Sequence, residues 1–90
     1  MSQAIVKPED LRRFAASLKT FSETTKSGMT NLRGQFQHLG ETWRDQEHAK
    51  FAQVFDETTK ALDRFLKASD QHIPFLIRKA EAAEEYLRRR

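Results

Sequence analysis

The sequence predicts an all-α protein: an antiparallel two-helix hairpin that dimerises into a four-helix bundle. Three observations predict this. Apolar residues recur at steps of three or four along two long stretches. Only three glycines and two prolines punctuate the 90 residues. The one break in the pattern is the short segment "LGET", residues 39–42. A chain of this length supports a single domain, 1–90.

Helix one is expected over 8–39. Pro8 suits a first helical turn, and Glu9 and Asp10 follow it at the positive end of the helix dipole. The stripe then runs Leu11, Phe14, Leu18, Phe21, Thr25, Met29, Leu32, Phe36 and Leu39. Gly40 stands where a helix C-cap would, and the turn is expected at 40–42. Thr42 and Asp45 have capping-box spacing, with Asp in place of the usual Glu. Helix two is therefore expected over 43–88, along Phe51, Phe55, Thr58, Leu62, Phe65, Ser69, Ile73, Leu76, Ala80, Ala83 and Leu87. Pro74 removes a backbone donor and crowds the carbonyl of Asp70, which predicts a bend near 74.

A short turn makes the helices antiparallel neighbours. The expected register pairs residues whose numbers total about 83, so Leu32 meets Phe51, Phe21 meets Leu62 and Leu18 meets Phe65. The predicted seam is Leu11, Phe14, Leu18, Phe21, Leu32 and Phe36 against Phe51, Phe55, Leu62 and Phe65. In this register everything beyond Pro74 overhangs helix one. Helix two also carries Val54, Ala61, Ala68, Phe75 and Ala82 at seven-residue spacing on one flank, with Ala52, Leu66, Ile73, Ala80 and Leu87 on the other. That face is wider than one seam needs. A second chain is therefore expected to cover Val54, Leu66, Phe75, Leu76, Ile77 and Leu87.

The charge pattern disfavours nucleic acid and membranes as partners. Net charge is +3, but without Arg88, Arg89 and Arg90 the 13 remaining bases balance the 13 acids. Acid-before-base pairs four apart, such as Asp56–Lys60 and Asp63–Lys67, read as solvated helix faces. Binding of a membrane surface or nucleic acid through the basic tail is the alternative reading, and Glu81, Glu84 and Glu85 oppose its membrane form. The chain has no cysteine, which excludes disulfides and thiolate metal sites. It has no glycine-rich phosphate loop, and a two-helix hairpin offers little concavity. No enzyme activity, cofactor, metal or small-molecule substrate is expected. His38, Asp45, Glu47 and His48 lack the His-Glu-His spacing of a helical zinc site and read as solvated turn residues. His72 is expected half-buried beside the seam near Leu11. Neither a signal peptide nor a transmembrane segment is visible, so the chain is expected in the cytoplasm or exported without a cleaved leader.

The only tryptophan, Trp43, falls at the expected start of helix two, where its ring would cover Leu39 and Phe36. A chain of this length with two long helices and a tryptophan turn resembles the WXG family, the ESAT-like small proteins of type VII (ESX) secretion. The matching tripeptide is Trp43-Arg44-Asp45, with Asp in the place of Gly. The resemblance implies a non-catalytic interaction module acting as a homodimer, or as a heterodimer with a related hairpin. It further implies a type VII secretion component or a larger secreted effector as partner. The family's Tyr-x-x-x-Asp/Glu export signal is not visible, because Arg90 stands four residues after Tyr86.

Overall fold

The computed structural model describes residues 6–89. It holds two antiparallel helices, α1 (Pro8–Leu39) and α2 (Gln46–Arg88), joined by a turn over 40–45. α1 begins as the sequence indicates: Lys7 is an extended N-cap without a side-chain bond, Pro8 opens the helix, and Glu9 and Asp10 occupy the first turn. α2 begins at Gln46, later than expected, because the turn takes six residues. It then continues as helix through Pro74.

The described residues span 67 × 28 × 15 Å, so the hairpin is one helix layer thick. Only the seam can be buried. That seam matches the predicted stripe only in part: Met29, Ser69, Leu76 and Ala80 lay on the stripe, whereas Ala15, Ser22 and Leu66 did not. On α1 the buried positions are Pro8, Ala15, Ser22 and Met29, at strict seven-residue spacing. On α2 they are Leu66, Ser69, Leu76 and Ala80. Phe14, Phe21 and Leu32, expected in the seam, are each at least half exposed, as are Phe51 and Phe65. Leu11, Leu18, Phe36, Phe55 and Leu62 are partly buried. α1 is thus rotated so that Ala15 and Ser22 join Met29 in facing α2, and α2 is rotated less, so that Leu66 joins Ser69, Leu76 and Ala80. The physical reason is separation. Ala15, Ser22 and Ala80 let the helix backbones approach closely, whereas stacked phenylalanines would force the axes apart and leave voids between them.

The two edges of the seam carry different chemistry. Along one edge Arg12 donates from two guanidinium nitrogens to Glu84, Lys26 pairs with Asp70, and Arg33 pairs with Asp63. Each step along α1 matches an equal step back along α2, and the facing numbers total 96. On the other edge Phe21 meets Phe65 edge to face, with centroids 6.3 Å apart. The core register lies between these, well past the expected total of about 83. The later start of α2 and the rotation of the seam account for the slip. One consequence corrects the sequence reading: no long overhang follows Pro74. Leu76 and Ala80 are buried against α1, and Glu84 is still paired with Arg12. Leu66 and Leu76 therefore belong to the hairpin's own core and are not free to meet a second chain.

Two polar side chains, Ser22 and Ser69, sit within this seam. Ser22, 1% exposed, donates its hydroxyl to Asp70 at 3.0 Å. The Asp70 carboxyl is held below its ordinary range by Lys26 first and Ser22 second, and Glu84 is held down by Arg12. Both groups bind protons less tightly folded than unfolded. Their stabilisation is complete at neutral pH and is lost as pH falls through the carboxylate range. Asp70→Asn should therefore flatten the fall in Tm between about pH 5 and pH 2, measured by circular dichroism. The packing makes a second prediction. Ala15→Leu should cost about 1–3 kcal/mol in urea unfolding by overpacking the closest approach of the helices. Phe14→Ala removes far more volume, yet should cost less than about 1 kcal/mol in the monomer, because its ring lies outside the seam.

Candidate functional site: the tryptophan turn and the apolar edge

Gly40 caps α1 with an ordinary right-handed conformation, φ −66°, and its N–H reaches the carbonyls of the last turn. A side chain here would be tightly surrounded. A Cβ at Gly40 would lie 3.3 Å from the carbonyl oxygen of Gln37 and 3.4 Å from Nε2 of His48. Arg44 folds back over the turn and donates Nε to the carbonyl of Gly40 at 2.8 Å. The Trp43 N–H donates to the carbonyl of Leu39 at 3.0 Å. The chain is thereby closed on both sides of Trp43.

The ring of Trp43 does not open α2; it lies in the turn, two residues before the N-cap. Nor does it cover Phe36 directly. It meets His48 at 4.9 Å with planes nearly perpendicular, and the same imidazole stacks on Phe36 at 4.9 Å with planes 8° apart. Phe36 also touches Phe51 and Phe55. His48 is thus the middle layer between the tryptophan and the closed end of the core, not a solvated turn residue. Its Nε2 is buried and has no hydrogen-bond partner among the described residues. The sequence held a signal for this role. His48, Ala52, Phe55, Thr59 and Leu62 continue the buried seam backwards at steps of four and three.

Asp45 is the N-cap of α2 itself. Its backbone is extended and its Oδ1 accepts the His48 N–H at 3.0 Å. The capping role expected for it holds, at a position three residues earlier in the helix than the capping-box reading placed it. The carboxyl is held below its ordinary range chiefly by that N–H. The indole N–H of Trp43 contributes less, its geometry falling short of a formed hydrogen bond. The third position of the tripeptide is therefore a cap, and both Asp and Gly are favoured caps. This explains why Asp can stand where the motif has Gly.

The second feature is the edge that holds Phe21 and Phe65. Phe14, Phe21, Leu32 and Leu39 from α1 join Phe51, Val54, Phe65 and Phe75 from α2 along it, all between 45% and 56% exposed. Ala61 and Ala68 are exposed beside Phe65, and His72 stacks on Phe75 at 5.4 Å. Near the turn the edge hollows into an open groove of about 760 Å³, walled by Leu32, Phe36, Leu39, Phe51 and Phe55. Of the residues expected to meet a second chain, Val54 and Phe75 lie on this edge. Ile77 is partly buried on the charged edge, and Leu87 is exposed at the far end of α2. Phe14, Phe21, Leu32, Phe51 and Phe65, assigned to the seam by sequence, are the larger part of the edge. Among the described residues no three His, Asp or Glu side chains converge as a metal site, and no helix is long and apolar enough to cross a membrane.

The cap assignment is testable. Asp45→Ala should lower Tm more than Asp45→Gly, because glycine retains much of the capping preference that alanine lacks. Equal or reversed effects in thermal unfolding would remove the cap from the explanation of the motif.

Crystal structures of the secreted protein EsxB from Bacillus anthracis str. Sterne share this hairpin. The selenomethionine-labelled form superposes with a TM-score of 0.72 at 23% identity, covering 96% of this chain and 98% of that one. The wild-type protein in a P21 crystal gives 0.71 at 24% identity, covering 93% and 97%. At these identities the likeness is one of fold. No curated protein matches the chain in sequence. The family described as "Proteins of 100 residues with WXG" matches residues 3–86, a span that includes both helices almost entire and the tryptophan turn. The chain belongs to the WXG100 family.

Proposed function

We propose that this protein is a non-catalytic interaction module of type VII secretion, acting by pairing its apolar edge with a second helical hairpin. The observation that carries the reading is the segregation of the two edges. One is closed by ion pairs within the chain. The other leaves five phenylalanines, Phe14, Phe21, Phe51, Phe65 and Phe75, about half exposed. A monomer rarely leaves so large an apolar patch open to water, and such patches mark protein–protein contacts. A hairpin one layer thick gains a second core layer by covering that edge, which makes a four-helix bundle. Family membership supports the link to type VII secretion, and EsxB, alike in fold, is a secreted protein.

The partner is a second copy in the simplest case, or a related hairpin or larger secreted effector that offers a similar edge. The basic-tail readings are disfavoured by the local structure. Arg88 and Arg89 both engage Glu85, so the tail is partly neutralised within the chain. Arg90 lies outside the described residues.

Sedimentation equilibrium tests the reading. The protein at micromolar concentration should sediment at twice its monomer mass, and Phe21→Asp or Phe65→Asp should return it to monomer mass with helical circular dichroism retained. A wild-type protein that stays monomeric, and that neither Phe→Asp change separates from a co-expressed partner hairpin, would overturn it.

A further inference from the structure

We propose that the hairpin has a second register, in which α2 slides by two helical turns toward the open end and releases the segment after Pro74. The ionic edge carries this. Its cations Arg12, Lys19, Lys26 and Arg33 stand at strict seven-residue spacing on α1. Its acids Asp56, Asp63, Asp70 and Glu84 keep the same spacing on α2, with Ile77 in the place of one acid. In the described register Arg12, Lys26 and Arg33 pair with Glu84, Asp70 and Asp63. One cation and one acid of the ladder are left over. Lys19 falls opposite Ile77 and meets no carboxylate at ion-pair distance among the described residues. Asp56 pairs only with Lys60 on its own helix. A slip of seven residues, about 10 Å, lowers every facing total by seven. Lys19 then meets Asp70, Lys26 meets Asp63 and Arg33 meets Asp56, so the number of ion pairs across the hairpin is unchanged. The buried Ser22 hydroxyl exchanges Asp70 for Asp63, which stands seven residues earlier on the same face. A slip of one turn offers no such match.

Three further observations agree. The aromatic edge tolerates the slip, because Phe65 exchanges Phe21 for Phe14. The slipped register then straddles the total of about 83 at which the apolar stripes of the two helices pair. The turn also permits the movement. In the described register α2 starts beyond the end of α1, and the turn over 40–45 bridges the offset. The slide brings the two ends level, and connections of about 2–8 residues join antiparallel helices. Finally, Pro74 gains a reason. Within an unbroken α2 it lacks the donor that would reach the Asp70 carbonyl, and nothing in the described register uses that interruption. After the slide Pro8, the first residue of α1, lies at the level of Pro74. The hairpin ends there, and the rest of α2 projects free of α1. Burial of Leu76 and Ala80 against α1 makes the described register the resting one.

Spin labels within one chain read the slide. Gln35→Cys and Gln71→Cys place labels at exposed positions on α1 and α2, both on the turn side of Pro74, in a chain with no other cysteine. Dilution with excess unlabelled chain confines the measured distance to one molecule, whether or not the protein associates. Ala80 is 0% exposed in the described register and lies in the released segment after the slide. Ala80→Glu is therefore excluded from the first register and accepted by the second. Double electron–electron resonance should show the distance lengthen by about 10 Å in this variant, with helical circular dichroism retained. Adding Lys19→Glu, which sets a carboxylate against Asp70 only in the slipped register, should return the distance to that of the wild type. Adding Arg12→Glu instead, which repels Glu84 only in the described register, should keep the longer distance. An unchanged distance in Ala80→Glu means that the end of α2 merely frays, and it overturns the proposal. Loss of the helical signal in that variant does the same, since no second register then catches the chain. So does a longer distance that Lys19→Glu leaves unaltered.

Discussion

Two helix backbones can approach closely only where their facing side chains are small, and here Ala15, Ser22 and Ala80 are buried between the helices. The remaining features follow from that contact. With small residues at the centre of the seam, large rings have no room in it and are displaced to the side. The rotation that brings Ala15 and Ser22 inward also brings Arg12, Lys26 and Arg33 to one edge and Phe14 and Phe21 to the other. On α2 the same rotation buries Leu66 and Ala80, aligns Asp63, Asp70 and Glu84 with the cations, and turns out Phe51, Phe65 and Phe75. A single geometric choice thus yields one edge that is satisfied within the chain and one that is not.

The ionic edge fixes register more than it adds stability. Its pairs are 42–52% exposed, and exposed pairs of this kind contribute little each. A slip by one helical turn, however, would set Arg12, Lys26 and Arg33 against the wrong neighbours simultaneously. It would also strand the buried Ser22 hydroxyl away from Asp70. The apolar edge discriminates poorly between registers, since a phenylalanine displaced by one turn finds another apolar neighbour. Polar specificity on one side therefore lets the other side remain greasy, and so available to a partner, without loosening the fold.

Much of this was legible in the sequence, and most of the misses share one cause. Helix number, helix ends at Pro8, Leu39 and Arg88, and antiparallel pairing all follow from local rules: a proline start, a glycine stop and a sustained apolar period. The family resemblance was legible in the length, the two long helices and Trp43 in the turn between them. The identity of the seam was not. Apolar periodicity finds the greasiest stripe of a helix, and in a lone hairpin that stripe need not be the buried one. Phe14, Phe21 and Phe65 marked the stripe, while Ala15 and Ser22, which read as unremarkable, marked the contact. His48 was missed for the same reason. A polar residue beside a turn reads as solvated, and only its step of seven from Phe55 gives it away. The register error had a different origin, because a turn of six residues cannot be told from one of three when Thr42 and Asp45 both look like caps.

The tryptophan turn now has a physical reading that does not require its third residue to be glycine. The closed end of a thin hairpin exposes the last layer of its core, here Phe36 with Phe51 and Phe55. An aromatic lid must cover that layer, and the chain must reverse within a few residues while doing so. Trp43 and His48 form the lid in two layers. Gly40 leaves room for the imidazole, Arg44 ties the reversal to Gly40, and Asp45 starts α2 so that His48 emerges beneath the indole. The demand on the third position is to begin a helix at the right place. Glycine meets it by conformational freedom and aspartate by accepting the His48 N–H. The second solution also fixes the orientation of that first turn, and with it the ring on which Trp43 rests. Aspartate at this position is thus coupled to the histidine three residues later through the backbone N–H it accepts.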